Sequence, residues 1–129
     1  MKIHTKRIYE EAAQSDGTRI LVDRLWPRGI SKEKADFDDW TKDLAPSTEA
    51  RKEFNHDPDK FEEFSHRYEQ ELDESEEAQD YLEKLKKDKP ANLTLLFAAK
   101  DTEHNHALVL QKYLQKHISG AKLGHGAGE

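Results

Sequence analysis

The sequence predicts an α/β fold with a small, mostly parallel sheet of about three to four strands, covered by helices. Two short apolar runs, residues 20–22 and 93–99, have the composition of strands that are buried on both faces. The stretch between them, residues 31–89, carries helical patterns and forms a helical insert between the second and the last main strand. Because a long helical crossover favours parallel neighbours, we expect residues 19–23 and 93–99 to pair directly.

The N-terminal part of the chain supplies the first two strands. Residues 2–8 alternate weakly between apolar and polar side chains, which predicts a first strand. A turn signal at residues 15–18 precedes the second predicted strand, residues 19–25. Trp26-Pro27-Arg28-Gly29 must end this strand, because proline cannot donate to a ladder and glycine frees the backbone.

Helix start signals organise the middle of the chain. Ser31 and Ser47 are each predicted to cap a short helix, and Asp57 followed by Pro58 is a stronger start. Two apolar stripes then predict an antiparallel helix pair whose aromatic face covers the sheet. The stripes consist of Phe61, Phe64, Tyr68 and Leu72 in one helix and Ala78, Tyr81, Leu82 and Leu85 in the other, which Pro90 ends.

The C-terminal part is predicted to hold one strand, one helix and a tail. A helix should open at Asp101 or Thr102 and run through Ile118. Residues 120–129 contain four glycines and no strong periodicity, so we expect them to be disordered. The prediction is a single α/β domain over residues 1–118 and a flexible tail over residues 119–129.

Composition excludes several classes of protein. The 129 residues contain no cysteine, which excludes disulfide scaffolds, thiolate zinc sites and cysteine nucleophiles. No apolar run approaches the length of about 20 residues that a membrane helix needs, and the N-terminus has no signal-peptide pattern. A soluble, cytoplasmic protein is therefore expected.

Charge is segregated along the chain. Residues 1–34 carry a net charge of +3, residues 35–92 carry −10 and residues 93–129 carry +1. The acidic middle argues against binding of duplex DNA across that face, since phosphate attraction supplies most non-specific affinity. It leaves two alternatives open: the acidic helical pair docks a basic protein partner, or the basic N-terminal third associates with nucleic acid.

The two best strands end in the two most polar loops, residues 23–29 and 100–106. If the strands are parallel neighbours, both loops emerge at one edge of the sheet, where open α/β sheets bind ligands. Arg24, Arg28, Lys100 and Asn105 would then meet the start of the last helix. Guanidinium groups and free N–H groups favour phosphate or carboxylate, so we predict a pocket for a small anionic molecule.

Four further residues of these loops are candidates for acid–base roles: Asp23, Asp101, His104 and His106. An ion pair of Asp23 with the adjacent arginine and a capping role for Asp101 are the structural alternatives. The two histidines are two positions apart, so on a helix they cannot both hold one metal ion. If His104 lies in the loop, a zinc-type site with His106 and Asp101 stays an alternative, but no metal or other cofactor is predicted.

Trp26 has two interpretations. As a neighbour of Pro27 it suits core packing better than a role as a stacking platform, so we expect it to be buried. A buried indole predicts a loss of about 3 to 5 kcal/mol on truncation to alanine.

The string Leu21-Val22-Asp23-Arg24-Leu25-Trp26-Pro27-Arg28-Gly29 resembles the signature of the YeaO-like bacterial family, a domain of unknown function numbered 488. Further segments agree in order: Leu44-Ala45-Pro46-Ser47, Phe54-Asn55-His56-Asp57-Pro58 and Leu95-Leu96-Phe97-Ala98-Ala99-Lys100-Asp101. Asn55 stands where this family often has glycine. The resemblance implies a compact α/β fold with a parallel first strand, whereas the turn at Asp16-Gly17 alone suggests a hairpin. It implies no particular reaction.

Overall fold

A computed structural model describes residues 1–124 and shows an α/β protein with five strands and four helices. The strands are β1 (Lys2–Arg7), β2 (Thr18–Leu21), β3 (Asp39–Trp40), β4 (Asn92–Phe97) and β5 (Lys122–Leu123). The helices are α1 (Thr48–Phe54), α2 (Phe61–Glu74), α3 (Glu76–Asp88) and α4 (His106–His117). All pairings are parallel, in the order β3-β2-β4-β1-β5. The predicted class is confirmed, and β3 and β5 exceed the predicted strand count because two-residue strands have no sequence signature.

The strand pairing that the site prediction required is present. β2 lies beside β4 in parallel, with Ile20 opposite Leu95. β1 lies on the other side of β4, also parallel, with Ile3 opposite Leu93. The hairpin that the turn at residues 15–18 suggested does not form, and the resemblance predicted the direction of β1 correctly.

The helices pack against one face of the sheet. The main core joins inward-facing strand residues such as Ile20 and Leu95 to apolar residues of all four helices. On the other face a smaller cluster of Ile8, Leu21 and Leu96 is covered by Ile30, Phe37 and Trp40 from loops and from β3. The central strand is thus buried on both faces, as predicted, but helices cover only one of them.

Two of the predicted helix starts are confirmed. The Ser47 hydroxyl accepts a hydrogen bond from the Ala50 N–H at 3.0 Å and caps α1. The Asp57 carboxylate accepts one from the Asp59 N–H at 3.0 Å, at a 3₁₀ turn that leads into α2. The Ser31 prediction is wrong: its hydroxyl accepts from the Lys34 N–H at 3.2 Å in an isolated turn, because no apolar stripe follows to bury a helix there.

The last helix begins later than predicted. Asn105 caps α4 by accepting a hydrogen bond from the Leu108 N–H at 3.1 Å, so neither Asp101 nor Thr102 opens it. The reason is local competition: Asp101 folds residues 101–104 into a turn instead. Strand β5 lies inside the segment expected to be disordered, and the rest of that prediction, residues 125–129, lies outside the described residues.

A buried charge cluster, the Asp16 cluster, lies on the face of the sheet that has no helices. Lys6 Nζ lies 3.0 Å from Asp16 Oδ1, and Arg19 Nη1 lies 2.5 Å from Asp16 Oδ2. The Thr94 hydroxyl from β4 donates to the Asp16 carbonyl at 2.7 Å. Burial alone would raise the pKa of Asp16, but hydrogen bonds from the Ala13 N–H, Lys6 and Arg19 lower it below its ordinary value.

Candidate functional site

A cleft of about 640 Å³ opens at the edge where β1, β2 and β4 end, and we call it the carboxyl-edge cleft. Its walls come from the loop after β2, the loop after β4, the C-terminal end of α1 and the first residue of α4. The lining residues are Tyr9, Asp23, Leu25, Trp26, Pro27, Arg28, Arg51, His56, Ala98, Ala99, Lys100, Asp101 and His106. The two polar loops that the sequence singled out therefore meet here.

Asp23 and His106 form a close pair within the cleft. His106 Nε2 lies 2.8 Å from Asp23 Oδ1, and both atoms are inaccessible to solvent, although they are not aligned as a hydrogen bond. The other carboxylate oxygen of Asp23 accepts from the Ala98 N–H at 3.0 Å. Asp23 thus ties the end of β2 to the end of β4 and to the start of α4.

Asp101 and His104 form a second pair, at 3.0 Å between Asp101 Oδ2 and His104 Nδ1. Asp101 Oδ1 also accepts from the Glu103 N–H at 2.8 Å and from the His104 N–H at 3.0 Å. These bonds, that from Glu103 first, lower the pKa of Asp101. His104 packs edge-on against Phe61 and does not line the cleft, so the four acid–base candidates separate into two pairs.

Three cationic side chains line the cleft: Arg28, Arg51 and Lys100. All three are exposed, and within residues 1–124 none of them makes an ion pair with a carboxylate. The two cleft carboxylates, Asp23 and Asp101, are instead engaged by backbone N–H groups and histidines. The cations are therefore available to a ligand, while the acids are held by their own loops.

The structure does not bring Arg24 to the carboxyl-edge cleft with the other two predicted cations. The Arg24 guanidinium turns away from the cleft and donates to the carbonyl oxygens of Pro46 at 3.0 Å and Ala45 at 3.5 Å. These carbonyls precede α1 and belong to buried residues, so the arginine satisfies acceptors that would otherwise be orphaned. Asp23 and Arg24 form no ion pair with each other among the described residues.

Asn105, also a predicted anion ligand, does not line the cleft either. The side chain is buried, and its amide donates to the Asp101 carbonyl at 2.8 Å while its oxygen caps α4. Both ends of the amide are therefore used within the protein, and the residue positions the loop that carries Lys100.

Trp26 is half-buried, which corrects the expectation of a core residue. Its ring lies 5.2 Å from Trp40 in an edge arrangement and 5.8 Å from Phe37, measured between centroids. Its indole N–H donates to the Ile30 carbonyl at 2.6 Å. The ring is held by packing on one side and contributes to the cleft wall on the other.

Arg51, His56 and Tyr9 were missed by sequence reasoning. Arg51 lies on α1, and His56 follows it in a turn where Asn55 and His56 both have positive φ, 47° and 54°. The family-like segment around His56 was the only available signal, because only the tertiary fold brings α1 to the sheet edge.

Two other surface depressions are less suited to anions. One of about 460 Å³ holds Arg24 but is lined by four carboxylate side chains, those of Asp43, Glu71, Glu74 and Glu77. The other, of about 610 Å³ beside α1 and α2, contains Arg67 paired with Glu53 at 2.5 Å. Within residues 1–124 no group of three or more His, Asp or Glu side chains is arranged to hold a metal ion.

Comparison with known proteins decides the family. Residues 2–127 match a family model described as "Inactive DUF488-N3 subclade". The chain is also 48% identical over 115 residues to "Uncharacterized protein YeaO" of Escherichia coli strain K12, which covers 89% of this chain and 98% of that protein. This chain belongs to the YeaO-like DUF488 family.

Mycobacterial relatives match a shorter part of this YeaO-like protein. "Uncharacterized protein Rv3073c" of Mycobacterium tuberculosis strain H37Rv is 45% identical over 74 residues, 57% of this chain and 63% of that protein. No solved structure gives a significant match. None of the helices within residues 1–124 has both the length and the apolar character that crossing a bilayer demands. A cytoplasmic location, a protein partner and the exclusion of duplex DNA as a partner stay predictions.

Proposed function

We propose that this protein binds a small organic anion through its phosphate or carboxylate group in the carboxyl-edge cleft. The observation that carries the proposal is the set of three cations, Arg28, Arg51 and Lys100, on one cleft with no carboxylate partner within residues 1–124. They gather in a chain whose net charge is −6, so the cleft differs in sign from the molecule around it. Arginine forks match phosphate and carboxylate oxygens by parallel hydrogen bonds.

We propose binding without turnover. Asp23 and His106 are close enough for proton transfer, but each is inaccessible at the facing atom and Asp23 also holds the Ala98 N–H. Their arrangement supports a role in fixing the cleft walls rather than in attacking a ligand. The description of the matching family model as an inactive subclade supports the same conclusion.

Thermal unfolding in the presence of anions tests the proposal. The melting temperature should rise with the concentration of inorganic phosphate or a nucleoside 5′-monophosphate by mass action, at constant ionic strength set with chloride. Arg28→Ala and Lys100→Ala should each remove most of the ligand-dependent rise. Lys32→Ala, which alters an exposed lysine outside the cleft, is the matched control and should keep it.

Two outcomes would contradict the proposal. The first is the absence of any ligand-dependent rise together with a lower baseline melting temperature for Arg28→Ala, which would show a cluster that serves only to tie the loops. The second is chemical conversion of the ligand, detected by chromatography after prolonged incubation. That result would leave binding intact and overturn the claim that turnover does not occur.

A further inference from the structure

The cleft wall beside the cations is apolar, and this feature bears on what the anion is attached to. Leu25, Trp26, Pro27, Ala98 and Ala99 all line the cleft. Leu25 is 63% exposed, and within the described residues Leu25 and Tyr9, which is 44% exposed, are the large hydrophobic side chains most open to solvent. Single exposed hydrophobic residues are ordinary, but both of these lie on the same cleft.

Trp26 presents a fixed apolar surface. Its only polar atom, Nε1, is already satisfied by the Ile30 carbonyl at 2.6 Å, so the exposed part of the indole offers ring surface alone. Contacts with Phe37 and Trp40 hold the ring in one orientation. A ring immobilised before binding loses little conformational entropy when a flat ligand packs on it.

The volume of the cleft points the same way. At about 640 Å³ it falls within the range of about 300 to 1,000 Å³ that organic ligands occupy. The side chains of Ala98 and Ala99, directly after β4, are too small to fill this space. Inorganic phosphate held by Arg28 and Lys100 would leave the apolar wall in contact with water.

We infer that the ligand is a planar ring that carries one anionic group, with the anion among Arg28, Arg51 and Lys100 and the ring against Trp26 and Leu25. This inference rests on the proposed function and adds the ring. Nucleoside monophosphates and aromatic carboxylates share this chemistry. Stacking on an aromatic side chain is worth about 1 to 3 kcal/mol per base in nucleic-acid complexes, a factor of roughly 5 to 150 in affinity.

Calorimetric titration with matched ligands tests the inference. Adenosine 5′-monophosphate is compared with ribose 5-phosphate, which keeps the anion and lacks the planar base, and with adenosine, which keeps the planar base and lacks the anion. Benzoate and acetate form the corresponding carboxylate pair. In at least one pair the anion with the planar ring should bind about tenfold or more tightly than its partner without one, and the pair that responds identifies the source of the ring.

Variants locate the ring. Trp26→Leu should remove the tenfold advantage while ribose 5-phosphate or acetate binds as before, and Leu25→Ala, at an exposed position with little role in folding, should reduce it in part. Trp40→Phe leaves Trp26 as the sole tryptophan, and the ring-bearing ligand should then quench its fluorescence.

The outcomes separate this inference from the proposed function. Equal affinity for both members of each pair, unchanged in Trp26→Leu, would overturn the inference that the ligand carries a planar ring. It would leave anion binding in place. Failure of every anion to bind would overturn the proposed function itself. Binding of adenosine as tight as that of its monophosphate would show a ring site that does not use the cations.

Discussion

Two groups of cationic residues in this protein differ in their exposure and in their carboxylate partners. In the Asp16 cluster, Lys6 and Arg19 close on one carboxylate at 3.0 and 2.5 Å and are mostly shielded from water. In the carboxyl-edge cleft, Arg28, Arg51 and Lys100 are exposed, and no carboxylate within residues 1–124 pairs with them. The first group has its counter-charge within the protein, whereas the second has no carboxylate partner within residues 1–124.

The two groups of cations differ because the nearby carboxylates contact different partners. Asp16 directs both oxygens at cations, although Oδ2 also accepts from the Ala13 N–H, and its backbone carbonyl accepts from Thr94. Asp23 and Asp101 direct their oxygens at backbone N–H groups and at histidines. Residue composition alone does not separate paired cations from unpaired ones, because the partners of the acids differ between the two regions.

The largest expected effect concerns the Asp16 cluster. Asp16→Asn leaves Arg19 buried without a counter-charge, so the free energy of unfolding should fall by about 3 to 5 kcal/mol. Urea unfolding followed by circular dichroism measures this loss. Asp80→Asn, an exposed carboxylate on α3, is the control and should change stability by less than about 0.5 kcal/mol. A small loss of unfolding free energy for Asp16→Asn would show that the Asp16 cluster contributes little to stability. The two cationic groups would then not differ in their structural role.

A smaller loss of stability is expected for substitution of Asp23, which joins the ends of β2 and β4 and also lines the cleft. Asp23→Ala leaves the Ala98 N–H without its side-chain acceptor, and we expect a loss of about 1 to 3 kcal/mol in unfolding free energy. The same variant should also weaken anion binding, because the loops after β2 and β4 lose their shared contact. Chemical unfolding and the ligand titration are measured on one preparation. A loss of stability with undiminished anion affinity would show that Asp23 does not position the cleft.

Acid should weaken the Asp16 cluster. The pKa of Asp16 is lowered in the folded protein from its ordinary value of 3.8. Its contribution is therefore fully present above about pH 5 and is lost as the pH falls through the folded pKa. The stability difference between the wild type and Asp16→Asn should shrink between about pH 5 and pH 3 in urea unfolding. This difference removes the parallel contributions of Asp101 and Glu53, whose pKa values are also lowered. A constant difference would exclude a native ion pair at Asp16.

The smallest effect is expected at the cleft cations when no ligand is present. Arg28→Ala and Arg51→Ala should leave the unfolding free energy within about 0.5 kcal/mol of the wild type, since neither side chain has a carboxylate partner within residues 1–124. Urea unfolding in chloride alone, without phosphate, is the measurement. A loss above about 2 kcal/mol in either variant would show that the residue stabilises the fold, as the cations of the Asp16 cluster do.

Much of the fold could be predicted from local signals. The apolar runs of β2 and β4, the cap at Ser47 and the pair Asp57-Pro58 each specify an element within a few residues. Errors arose where two local structures compete for the same residues. Asp101 could have capped a helix, but its carboxylate folds a turn, and Asn105 takes the capping role.

The site was predictable as a place but not as a full set of residues. Parallel pairing of β2 with β4 was enough to bring Asp23, Arg28, Lys100 and His106 to one edge. The direction of Arg24 depends on buried carbonyls before α1, and Arg51 reaches the cleft only because that helix packs at the sheet edge. Both depend on tertiary contacts between segments far apart in the chain, which no local pattern encodes.

The parallel order of the sheet also governs when the chain can fold. β1 pairs with β4, residue 2 opposite residue 92, and with β5, residue 2 opposite residue 122. During synthesis the first strand must therefore stay unpaired until residues 92–97 have left the ribosome. Contacts of such high sequence separation slow folding, because the loop entropy is lost before the contacts form.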